Sequence, residues 1–136
     1  MIIEIDDTLT IEYIQEKFND FFPFLKMEFY RHPHQWSEES QDTTVFPSNM
    51  RIGDIRKNHL HGEMKIYSWH KTGSVEQEFR KKYGLNVQVF RHHGNQWIET
   101  IGTDELTLEE QNEIGRKSSQ NRLHGTDREF ENEKPL

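Results

Sequence analysis

A chain of 136 residues with 32% apolar side chains has room for one domain and a small core, since a typical globular chain runs nearer roughly 45–50% by a similar count. With nine Phe, four Tyr and three Trp, aromatic rings must supply much of the buried area. The absence of cysteine excludes disulfides, thiolate catalysis and Cys-based metal sites, and no run approaches the ~20 apolar residues that cross a bilayer.

The net charge of −7 is unevenly spread. Residues 1–50 hold 3 basic and 10 acidic side chains, residues 51–93 hold 9 and 4, and residues 94–136 hold 5 and 10. An acidic whole disfavours non-specific nucleic-acid binding, while the basic middle leaves room for a local anion site. MIIEIDD carries acids where a secretory leader would carry Lys or Arg, so a soluble cytoplasmic protein is the expectation.

In chain order, IIEI alternates as a half-buried strand. Ile11, Ile14, Phe18, Phe21 and Phe22 follow the spacing of one helical face, with Thr10 placed to cap it and Pro23 to end it. LKMEFY alternates again as a return strand. Residues 37–62 form a connector without sustained period, in which IGDI at 52–55 fits a turn of helix or a short strand. EMKIYSW is the next strand. Ser74 with Gln77 reads as a capping box over a helix that buries Val75, Phe79 and Tyr83 and stops at Gly84. NVQVF and QWIETI, joined by the turn HHGN, make a hairpin. Thr107 and Glu110 cap a short final helix that ends at Gly115, and the polar residues 117–136 are expected to form a disordered tail.

The two halves, 2–36 and 63–97, align on each other. An offset of 61 places Ile3 on Met64, Ile14 on Val75 and Phe18 on Phe79; an offset of 60 places Leu25 on Leu85 and Arg31-His32 on Arg91-His92; Gln35-Trp36 meets Gln96-Trp97 at 61 again. A duplicated βαβ unit with two helices on one face of a sheet predicts a ferredoxin-like α+β sandwich, with the extra C-terminal strand and short helix, in one domain over 1–116. In that topology the return strands lie at opposite sides of the sheet, so the two Arg-His pairs are far apart. The stretch Val75 through Gly115, above all WIET at 97–100 followed by TLEEQN at 107–112, resembles a small bacterial domain family of uncharacterised role. The resemblance implies no activity, cofactor or catalytic residue.

No constellation of residues converges on one chemistry. H-x-H occurs at 32–34 and 59–61, but a metal site needs three or four converging ligands. KTGS at 71–74 lacks the phosphate-loop pattern, and the acids at 109 and 110 suit a helix N-terminus. Tyr30, Phe90, Tyr67 and Trp69 are candidates to stack bases on an exposed sheet face, with Arg31, Arg91 and Lys65 nearby, but the acidic total and the lack of an aromatic, Gly-containing strand motif oppose it. The expectation is therefore a non-catalytic protein-binding or self-assembly module, with no cofactor and neither nucleic acid nor membrane as partner. Its candidate contacts are Arg31, His32, Trp36, Arg91, His92 and Trp97. The alternative is a small-ligand site, metal or anion, at Arg56, His59 and His61 of the connector.

Overall fold

The computed structural model describes residues 1–33 and 44–124, the last four of these in backbone only. The elements run β1 (Ile2–Ile5), α1 (Ile11–Phe21), β2 (Leu25–Tyr30), α2 (Ile52–Ile55), β3 (Gly62–Lys65), α3 (Thr72–Tyr83), β4 (Asn86–His93), β5 (Gln96–Glu99), a 3-10 turn (Ile101–Thr103) and α4 (Leu108–His124). The architecture is mixed α+β, as expected, but the strands form two antiparallel sheets instead of the single ferredoxin-like one. β1 pairs with β3, and the second sheet has the order β2-β4-β5.

The return strands β2 and β4 are thus direct neighbours, with Leu25 opposite Arg91 and Tyr30 opposite Asn86. The cause is local satisfaction of their outer edges. On the β4 side the hairpin to β5, closed by Gly94 at φ 64°, supplies a partner strand. On the β2 side Phe46 N donates to Phe29 O at 2.8 Å, and the amides of Gln15 and Asn19 donate to Met27 O and Leu25 O at 2.9 and 2.8 Å. With those outer positions filled, the remaining edges of β2 and β4 pair with each other. Their alternate residues Leu25, Met27, Phe29, Val87 and Val89 join Ile3, Ile5, Ile14, Phe18, Met64, Val75 and Phe79 in one buried cluster.

Backbone bonds recur in the two halves beyond the stretch visible in sequence. Ile11 N and Glu12 N, opening α1, donate to Met50 O and Ser48 O, and Ile52 N donates back to Leu9 O; Thr72 N and Gly73 N, opening α3, donate to Leu106 O and Asp104 O, and Leu108 N donates back to His70 O. The segments before α2 and α4 correspond at an offset of 56, and each caps the preceding long helix. This displaces the expected Ser74–Gln77 box. α3 starts at Thr72, after Lys71, which makes no side-chain cap, and the orphan N–H groups bond the 104–106 backbone. The Thr10 cap, the left-handed Gly84 and the reciprocal Thr107–Glu110 box are all present. α4, however, does not stop at Gly115. A Cβ there would come within 2.9 Å of Phe24 Cβ, so this glycine serves close packing and the helix runs on to His124. Residues 125–136 lie outside the described residues.

Candidate functional site

Arg31 and Arg91 stand near opposite ends of the β2–β4 ladder, six positions or ~20 Å apart at the rise of a strand. The Arg31 guanidinium lies 4.9 Å from the Phe46 ring centroid. Arg91 donates to Gln111 Oε1 at 2.7 Å, with Gln111 held in turn by Thr103, and burial lowers the Arg91 pKa. His92 meets Phe24 and Trp97 edge-on, and its Nδ1 is 2.8 Å from Ser119 Oγ. The Lys26 ammonium sits over Trp97 at 5.1 Å and over Phe90 at 5.5 Å. These residues tie β2, β5 and α4 together. His32 makes its own contact, and Trp36 falls outside the described residues.

The connector residues do gather, around a carboxylate that the sequence did not single out. Arg56 is buried: its Nε and Nη2 donate to Asp7 Oδ1 at 3.1 and 2.9 Å, its Nη1 to Tyr83 O at 3.0 Å and its Nη2 to Leu60 O at 2.9 Å. His59 Nδ1 lies 2.7 Å from Asp7 Oδ2. Desolvation pushes the Asp7 pKa up, but the Arg56 and His59 hydrogen bonds outweigh it and hold the carboxyl below its ordinary value. His61 lies near enough to Asp6 to help lower that carboxyl, although the Thr8 hydroxyl and N–H do most of it. Among the described residues no three His, Asp or Glu side chains are placed to share an ion. The cluster clamps the connector to the β1 turn and to the end of α3.

A second titratable group lies under β4. Glu76 Oε2 accepts from Val89 N at 2.8 Å, where the equivalent Gln15 serves Met27 O in the other half. Burial raises its pKa to about 7 against the Val89 hydrogen bond, with Asp104 and Glu99 adding to the rise. A carboxyl raised from 4.5 in this way stabilises the fold fully below the unfolded value and loses that contribution as pH rises through about 7. Glu76→Gln is therefore expected to match the parent near pH 4, below the unfolded value, and to exceed it by up to about 3 kcal/mol at pH 8. Urea unfolding of both proteins at the two pH values checks this; parallel pH profiles would refute it.

The ribbon β1–β3 differs from the rest of the molecule. Met1 and Ile66 exchange both backbone bonds, so the alternation of an antiparallel ladder turns the N–H and C=O groups of Ile2, Glu4, Glu63 and Lys65 away from the partner strand. No described residue bonds these groups, and no third strand joins the sheet. Its inner residues Ile3, Ile5 and Met64 are buried, while the outer face presents Ile2, Glu4, Glu63 and Lys65. Beyond β3 the turn carries Tyr67 and Trp69, stacked at 5.6 Å with an interplanar angle of 11°, and Trp69 is 65% exposed. Tyr30, by contrast, is 5% exposed on the other sheet, so the four aromatic candidates share no common face. The alternation in IIEI and EMKI signalled two half-buried strands; nothing in it signalled that both would lack an outer neighbour.

The chain matches no protein-family model, no curated protein and no solved structure. Among the described residues no helix is long and apolar enough to cross a membrane.

Proposed function

We infer that the chain is a non-catalytic protein-binding or self-assembly module whose contact surface is the β1–β3 ribbon. One observation carries the reading: four residues on two short strands keep their outward backbone groups unbonded among the described residues. Such edges favour addition of a further strand. A two-stranded sheet also gains most from extension, because it is marginal by itself. The charged residues on its face keep the exposed edges soluble until a partner arrives.

Sedimentation velocity across a salt series tests the reading, with Lys65→Pro as the edge-directed variant. Pro at 65 deletes an outward N–H, which an edge strand tolerates, so the fold should persist by circular dichroism. The expected result is association of the parent chain with itself, or with a protein recovered on it, and loss of that association in Lys65→Pro. A strict monomer at every salt with no recovered partner would refute the reading, as would association that neither Lys65→Pro nor the matching β1 variant Glu4→Pro reduces.

A further inference from the structure

The repeated backbone pattern offers an internal control for the aromatic turn after β3. In the first half the turn closes with Leu9 N on Asp6 O at 3.2 Å, and in the second with His70 N on Tyr67 O at 3.0 Å. The first turn is built from Asp6, Asp7, Thr8 and Leu9, with Thr8 N and Oγ1 donating to the Asp6 carboxylate. The second places Tyr67, Ser68, Trp69 and His70 at the same steps. There His70 does the local work, its Nδ1 accepting from Tyr67 N at 3.0 Å. Both aromatic rings rest on the His70 ring, at centroid distances of 5.3 Å from Tyr67 and 4.3 Å from Trp69, and yet both keep an exposed face.

Two charges on the ribbon face are unexplained by folding. Glu4 and Glu63 are directly opposite each other in the non-bonded register, where Cα atoms stand ~4.5 Å apart and like charges oppose pairing. No ion pair links either carboxylate to a described basic residue. On the same face and one alternate position further along β3 comes Lys65, and then Tyr67 beyond the strand end. Read along the open β3 edge, the surface runs anionic, cationic, aromatic.

We propose that the β3 edge takes an extended segment of a partner protein that carries two basic residues four apart with an acid midway between them. One cation meets the Glu4–Glu63 pair, the acid meets Lys65, and the second cation lies on the Tyr67–Trp69 stack. A strand on this edge presents every second side chain to this face, which sets that spacing, and a guanidinium over an exposed aromatic ring is attracted by its electron-rich face. Arg suits the last position because its planar group stacks as well as carrying charge. The proposal rests on the strand-addition reading above and adds to it the chemistry of the occupant.

The test uses a fluorescein-labelled peptide with the core Arg-Val-Glu-Val-Arg, which presents the same face in either strand direction, and its reversal Glu-Val-Arg-Val-Glu. Fluorescence anisotropy against the full chain should show the first binding at least tenfold more tightly than the second. Trp69→Ala and Glu63→Lys should each weaken it at least tenfold, and N-methylation of the edge-facing amides should abolish it. Equal binding of the two peptides, or affinity unchanged in both variants, overturns the proposed occupant; if N-methylation still abolishes that binding, strand addition survives. Binding of neither peptide also overturns the occupant, and the Lys65→Pro and Glu4→Pro sedimentation results then decide the edge reading separately.

Discussion

Arg56→Ala is expected to destabilise the protein by about 2–4 kcal/mol, somewhat less than removing one partner of a fully buried ion pair, because Asp7 is partly exposed and keeps His59. The Arg56 side chain is wholly buried and bonds the Asp7 carboxylate, Tyr83 O and Leu60 O. Truncation leaves the buried Tyr83 carbonyl without its donor, at about 1–3 kcal/mol, while the Leu60 carbonyl and the Asp7 carboxylate, both partly exposed, can turn to water and Asp7 keeps His59. Against a domain stability of order 5–15 kcal/mol the loss is large. Arg56→Lys should recover only part of it, because one ammonium cannot replace a planar fork that reaches three acceptors. Urea midpoints of the three proteins measure the effect. A loss under about 1 kcal/mol for Arg56→Ala would mean that the connector is anchored elsewhere.

Phe79→Ala and Phe18→Ala should each cost about 3–5 kcal/mol, the usual range for deleting a buried ring. Both rings are fully buried, and Phe79 meets Phe29 edge-on at 6.2 Å. The two belong to one continuous cluster, so either truncation should lower the protection of amides in both halves together. Hydrogen exchange on each variant provides the check. If Phe18→Ala loosened β1 and α1 while leaving β3, α3 and β4 protected, the halves would be separate cooperative units, and the single-core description would fall.

Sequence and structure part company most clearly at glycine and at strand order. Gly84 and Gly115 look alike in sequence, each following a helical stretch of apolar spacing. Gly84 adopts the left-handed conformation and ends its helix, whereas Gly115 sits mid-helix at a place where Phe24 leaves no room for a Cβ. The need for glycine at 115 is not local, since it comes from a residue about ninety positions away. The capping of α3 shows the same limit: Ser74 and Gln77 have the spacing of a box, but the 104–106 backbone reaches the helix first. The candidate site was legible in fragments. His59 and Arg56 could be named from the connector, but Asp7, which joins them, is ordinary in sequence and becomes a clamp only when β1 is brought beside residues 56–60.

By itself the sequence determined where most strands and helices begin and most of the residues that face inward, although Phe21, on the apolar stripe of α1 by its spacing, is 59% exposed and α4 runs past Gly115. These follow from periodicity and from caps such as Thr10 and the Thr107–Glu110 pair, which act within a few residues. Only the tertiary structure decided which strands became neighbours. A strand's alternation records which face is wet but says nothing about its lateral partner; that choice fell to the β5 hairpin, to Phe46 and to the amides of Gln15 and Asn19, which occupied the outer edges of β2 and β4. The same allocation left β1 and β3 with each other alone, and so placed the open edges where the proposed contact lies.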